Sequence, residues 1–301
     1  MRIEYRRAGT RMTGLSGRGD TELLRIGFGA AQDADLVVPL VPADGEAWVE
    51  TWQGQGAVSE HQIGAVRCRG DDEFSLAWLA IEPERDESFA DVCERAYAEL
   101  LGFMRRYRHR ELLKVWHYLP GINRGEGEAE RYRQFCAGRR RAMQRLSPQL
   151  HPPPSATAIG SQDADAAIVM YWLCGLHPGI NLENPRQTSA WEYPPAYARA
   201  RPVFSRATRI DLGTAPALLI SGTASVVGYE TAHPHDSQRQ LDEALRNLQL
   251  LLQGAAGATA WPPPDALFRL YLRDPGEWPE LSARLGEAGI DLDRIMPLAG
   301  D

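Results

Sequence analysis

EFSLAWLAIEP (73–83), ESFADVCERAYAELLGFMRRYR (87–108) and LLKVWHYLPGI (112–122) follow one another closely, and their order decides the fold class. The outer two are short apolar runs, ended by Pro83 and Pro120, and read as strands. The middle one carries Phe89, Val92, Ala96, Leu100 and Phe103 at helical spacing, which predicts a long amphipathic helix. Strand, helix, strand in so short a span predicts one α/β layer.

Outward from this core, the first 35 residues alternate too weakly to place. ADLVVPLVP (34–42) is broken by Pro39 and Pro42, so it reads as an edge strand or a turn. On the other side, GEGEAERYRQFCAGRRRAMQRL (125–146) predicts a second helix, acidic at its start and basic at its end, as the helix dipole favours. SPQLHPPPSATAIG (147–160) is rich in proline and small residues and reads as a linker. It divides the chain into 1–152 and 153–301. The second half then repeats the first half's order of elements. DAAIVMYWLCGL (165–176) is a strand, and residues 177–206 are a long irregular stretch with five prolines. PALLISGTASVVG (216–228) is a strand with a small-residue break. The helix after it, over 233–253, is N-capped by Asp236 or Ser237 and stopped by Gly254 and Gly257. A strand at 266–274 and a helix at 275–289 precede RIMPLAGD (294–301).

Composition narrows the function. The 33 basic and 40 acidic side chains of the 301 residues give a net charge of −7, which argues against nucleic-acid or acidic-membrane partners. No apolar run approaches a membrane span, and no apolar region follows the basic N-terminus as in a signal peptide, so a cytoplasmic protein is expected. Cys68, Cys93, Cys136 and Cys174 form no CxxC pair and read as reduced thiols. Lys114 is the single lysine, so any Schiff-base chemistry would rest on it. P-loop, GxSxG and HExxH motifs are absent.

Several residues stand out chemically. Tyr132, Phe135, Arg139, Ala142 and Leu146 share one helix face, and Arg139 is the anomaly on it. It either binds an anion or snorkels to water. The irregular stretch is dense in Arg, Tyr and Trp. Tyr193 and Arg206 either join Arg139 around an anionic ring or belong to a solvated loop. SGTAS (221–225) is either a bulge or a place where a ligand approaches the backbone. His233 and His235 read as turn formers, because no third metal ligand has a readable position.

Taken together, PALLISGTAS, DSQRQLDEALRNLQLLLQGAAG and FRLYLRD resemble the RidA/YjgF superfamily. Six further segments are similar to the chorismatase family: VWHYLPGIN, GEGEAERYRQFCAGRRRAM, PPPSATAIG, ENPRQTSAWEYPPAY, FSRAT and SGTASVVGYETAHPHD. The resemblance runs from about residue 70 to the end. It implies an α+β fold made of two related α/β layers, the C-terminal one RidA/YjgF-like (bacillus chorismate mutase-like). It implies chorismate as the substrate, with pyruvate and 3- or 4-hydroxybenzoate as products and no cofactor or metal. The family's substrate contacts fall on Tyr132, Arg139, Tyr193 and Arg206, and its small-residue strand on Gly222, Thr223 and Ala224. Its catalytic glutamate follows a segment resembling MPLAGD and has no counterpart here. The resemblance therefore implies a chain cut before the last strand. Glu183, Glu192 and Glu230 lie near the motifs but match nothing catalytic. Hydrolysis of chorismate to a dihydroxycyclohexadiene carboxylate, a RidA-type imine deaminase and a non-catalytic carboxylate binder stay open as alternatives. Monomer and trimer stay open as well.

Overall fold

The computed structural model describes residues 1–8, 19–31, 33–146, 152–213, 215–256 and 261–301; residues 147–151 of the expected linker and Gly257 lie outside them. The chain begins with five strands, β1 (Arg2–Arg7), β2 (Glu22–Phe28), β3 (Leu36–Val38), β4 (Val41–Pro42) and β5 (Trp48–Gln53). Four of them form a sheet in the order β1-β5-β2-β3. β2 is buried on both faces, so it lacks the alternation by which a strand is recognised in sequence. The prolines have the expected effect at 34–42: β3 is an edge strand, and β4 departs to another sheet.

The next stretch contains β6 (Ser59–Ile63), β7 (Val66–Gly70), β8 (Phe74–Ile81), helix α1 (Phe89–Arg106) and β9 (Glu111–Pro120). Helix α2 (Arg131–Leu146), β10 (Ser155–Ser161) and β11 (Ile168–Gly175) follow. The strand-helix-strand reading of 73–122 matches β8, α1 and β9. Ser88 caps α1 by accepting the Asp91 N–H at 3.2 Å. The helix expected over 125–146 starts later, at Arg131, behind a single 3-10 turn. Gly138 sits where the two helices cross; a Cβ there would lie 2.1 Å from the Ala90 carbonyl oxygen. The glycine is therefore required by close approach and not by backbone dihedral.

The six strands form one sheet in the order β10-β9-β11-β8-β7-β6. One face packs on α1 and α2 through Val115, Leu119, Trp172, Phe103 and Phe135. The other packs on the N-terminal sheet through Trp52, Trp116, Tyr118 and Tyr171. β9 and β10 pair in parallel across residue 152, Lys114 opposite Ser155, so strands on either side of it share one sheet.

The remaining elements are β12 (Ile180–Leu182), β13 (Ala207–Asp211), β14 (Pro216–Ile220), β15 (Val226–Val227) and β16 (Glu230–Thr231), then α3 (Ser237–Ala256), β17 (Phe268–Leu272), α4 (Trp278–Glu287) and β18 (Ile295–Ala299). The architecture is α+β. The strands of the second half are shared among several sheets. RIMPLAGD itself forms a strand: β18 runs parallel to β17 and antiparallel to β4. Beyond it, Asp301 and Gly160 exchange two backbone hydrogen bonds of 3.0 Å. Among the described residues, no helix is long and apolar enough to cross a membrane.

A buried ion pair joins three sheets. Arg269 on β17 donates through Nε to Glu50 Oε2 on β5 at 2.9 Å, and through Nη1 to the Tyr118 hydroxyl on β9 at 2.9 Å. The Arg269 side chain is 8% exposed and that of Glu50 1%. The rings of Phe28, Trp116 and Tyr171 surround the guanidinium. Removing one partner strands the other charge, at a cost of about 3–5 kcal/mol. Denaturant unfolding of Glu50→Ala should show a loss of that size, and Glu50→Met with Arg269→Met should recover much of it. A loss under about 1 kcal/mol in the single variant would mean that the pair does not hold the sheets together.

Candidate active site

Arg139 lies on the inward stripe of α2 with Tyr132 and Phe135, and it is 2% exposed. Its guanidinium sits 4.9 Å from the Phe135 ring centroid and 5.9 Å from that of Tyr97. Nε and Nη2 are buried without a hydrogen-bond partner. The snorkelling alternative fails because the charged head, and not only the stem, is inside. A desolvated guanidinium with open N–H groups suits an anion.

His117 on β9 supports this arrangement from below. The Thr157 carbonyl can only accept, so the imidazole donates to it from Nδ1 at 2.8 Å. Nε2 then accepts the Tyr97 hydroxyl at 2.6 Å. Both bonds require the neutral ring. Burial, reinforced by the Arg139 charge, pushes its pKa down to about 3. Tyr97 is thereby fixed beneath Arg139.

The irregular stretch supplies the other half of the site. It contains β12 and one 3-10 turn at Ala190–Glu192, and it is otherwise aperiodic as expected. Arg206 is 6% exposed and donates through Nη2 to the Thr188 carbonyl at 2.7 Å and the Tyr193 hydroxyl at 3.1 Å. Its Nε is buried and unpartnered. The solvated-loop reading therefore fails for Arg206. Tyr193 packs edge-on against Tyr197 at 4.8 Å. Tyr132 and Tyr197 line one small cavity, Tyr197 packs on Tyr193, and Tyr193 accepts from Arg206, so a row of tyrosines leads from α2 to Arg206. Glu183 accepts the Arg206 backbone N–H at 3.1 Å, and burial raises its pKa against the pull of Arg206. Glu192 and Glu230 are exposed.

Gly222, Thr223 and Ala224 form a ledge between β14 and β15. It starts beside Arg206, whose carbonyl accepts the Ser221 N–H at 2.9 Å. Gly222 N–H reaches across to the Ala156 carbonyl at 3.2 Å, above Thr157. Asn247 on α3 steadies the far end by donating to the Ala224 and Val226 carbonyls at 3.2 and 3.0 Å. The strand does break at SGTAS, into an exposed turn. Lys114 is buried beneath the ledge and donates to the Thr157 hydroxyl and the Ile220 carbonyl. Burial, then Arg269, holds its ammonium well below the usual pKa.

Two cavities lie nearby; Tyr132 and Tyr197 line one of them, and neither Arg139 nor Arg206 lines either. The inner one, about 100 Å³, is lined by Tyr132, Cys136, Tyr197, Ala198 and their neighbours. The outer one, about 420 Å³, lies on the other side of Ala198. Sequence reading did not find Tyr97, His117 or Tyr197. His117 carried a signal, a polar residue inside a buried apolar run, whereas the role of Tyr97 depends on strand β9 across the helix. His233 and His235 adopt left-handed backbone at φ 54° and 65° in the turn before α3. Among the described residues, no group of three or more His, Cys, Asp or Glu is placed to hold a metal. All four cysteines are buried and free.

Residues 50–174 match the family model described as chorismatase FkbO/Hyg5-like, N-terminal. The chain is 30% identical over 226 residues to a 3-hydroxybenzoate synthase of Streptomyces hygroscopicus, covering 73% of this chain and 65% of that protein. It is 30% identical to a chorismatase of the same organism over 68% of this chain and 59% of that protein. A chorismatase of Streptomyces rapamycinicus is also 30% identical, over 67% of this chain and 61% of that protein. The chain thus spans less than two thirds of the length of these curated relatives. A crystal structure of a chorismatase superposes with a TM-score of 0.83 at 25% identity, covering all of this chain and 94% of that one.

His117 gives the site a pH signature. An unfolded imidazole takes up its proton near pH 6.5 and the folded one near 3. Between those values the unfolded state binds the extra proton, so stability is lost as pH falls, by about 1.4 kcal/mol per unit from this group. Unfolding free energies of His117→Gln should therefore fall less steeply than those of the native chain from pH about 6 to about 4. Equal slopes would mean that His117 is not held neutral.

Proposed function

From a chain related to the chorismatases, with their FkbO/Hyg5-like N-terminal domain at residues 50–174, we propose a cytoplasmic enzyme that cleaves chorismate to pyruvate and a hydroxybenzoate. The observation that carries the reading is the buried Arg139, whose open Nε and Nη2 are framed by Tyr97, Tyr132 and Phe135. Chorismate bears one carboxylate on a cyclohexadiene ring and a second on its enolpyruvyl ether. Arg139 binds one, Arg206 with Tyr193 binds the other, and the aromatic side chains form walls for the ring. Gly222, Thr223 and Ala224 supply a ledge without bulk, with backbone groups available to the substrate. Glu183 positions Arg206 through its backbone N–H. The order of strand, small-residue ledge and helix at 216–256 supports a RidA/YjgF-like origin for the C-terminal part. Relatedness to a 3-hydroxybenzoate synthase favours the aromatic product over the dihydroxycyclohexadiene carboxylate.

Incubation with chorismate, with pyruvate assayed enzymatically and the ring product identified by mass, tests the reading. Absence of pyruvate would overturn it. Arg139→Ala and Arg206→Ala should each weaken binding of a 3-substituted benzoate. A lost charged hydrogen bond costs about 1.5–3 kcal/mol, or roughly 10- to 150-fold in affinity. Unchanged affinity by calorimetry in both variants would remove these residues from the site.

A further inference from the structure

We propose that the outer cavity is a capture site for the anionic ring substrate, a vestibule from which it passes inward to the Tyr132–Arg139 row. The proposal rests on the chorismate reading and adds a second site to it. The cavity is about 420 Å³, within the range of small-molecule clefts, and Arg140, Arg199, Arg201 and Trp191 line it with Pro195 and Val203. No carboxylate lines it. Glu128, which accepts the Arg199 backbone N–H at 3.3 Å, also pairs with Arg133. Two of the guanidiniums are aimed by backbone acceptors, Arg140 Nη1 by the Arg199 carbonyl at 3.1 Å and Arg201 Nη1 by the Trp191 carbonyl at 3.3 Å. Three cations beside an indole match a ring that bears carboxylates.

The inner cavity, at about 100 Å³, is the smaller of the two. Ala198 is the shared wall between the two cavities. Arg139 and Arg140 are adjacent on α2, one buried and one exposed, so consecutive residues serve the inner and the outer site. A chain of net charge −7 repels a dianion at long range, and a local cluster of unpaired arginines reverses that field at the mouth.

The test compares the native chain, Arg199→Ala with Arg201→Ala, and Trp191→Phe, at low and high ionic strength. With chorismate, the double variant should lose about tenfold in kcat/KM at low salt, with the loss in KM, and the two enzymes should converge at high salt. A loss confined to kcat, or an identical salt dependence, would overturn the proposal. A native chain that releases no pyruvate defeats the chorismate reading, and the vestibule is then judged by fluorescence with 3-hydroxybenzoate as the probe. Saturable quenching in the native chain, absent in Trp191→Phe and about tenfold weaker in the double variant, supports it. No saturable quenching, or equal affinity in the double variant, overturns it.

Discussion

The Arg269 guanidinium, buried between three sheets with Glu50 as its counter-charge, is the constraint on which the rest of the structure depends. Its partners lie 219 and 151 residues away in the chain. A desolvated cation tolerates few geometries, so β5, β9 and β17 must arrive together and in one register. Trp52 extends the lock by donating to the other oxygen of Glu50. The apolar faces between these sheets would accept sliding of a residue or two, but the ion pair would not. With β9 fixed, Lys114 and His117 are fixed on its opposite faces, and His117 in turn orients Tyr97 beneath Arg139.

The candidate site is thus built on α2 and the 183–206 loop, and it is braced from the sheet. Its two arginines differ in kind. Arg206 is partly satisfied by the Thr188 carbonyl and the Tyr193 hydroxyl, which pins its direction before any ligand arrives. Arg139 is surrounded by aromatic rings and leaves two nitrogens open. A dianion would meet one rigid clamp and one that lacks only its partner, and such preorganisation lowers the ordering cost of binding.

How much of this was legible in the sequence depended on where each signal was stored. The amphipathic stripe of α1 and the proline breaks at 34–42 are local, and they gave the correct element types. The anomalous Arg139, Tyr193 and Arg206 were legible for the same reason, as charges or rings in the wrong company. Strand β2 was not, because burial on both faces erases alternation. A proline-rich stretch marks a turn equally well whether the strands beside it separate or pair, so the pairing of β9 with β10 was not legible at 147–160. The aim of Tyr97, the partner of Arg269 and the confluence of Tyr132 with Tyr197 are set by residues far away in the chain, and no local pattern encodes them.

The strand order of the central sheet has a consequence for synthesis on the ribosome. β8 and β9 are consecutive strands, yet they are not neighbours, because β11 lies between them. A nascent chain that has emerged only as far as Pro120 holds both strands with a one-strand slot between them. Each presents an open row of backbone donors and acceptors until Gly175 is made. At about 5–20 residues per second, that exposure lasts several seconds. Helices α1 and α2, which emerge around and before the slot is filled, are placed to cover one face of the waiting strands. The other face depends on the N-terminal sheet having formed first.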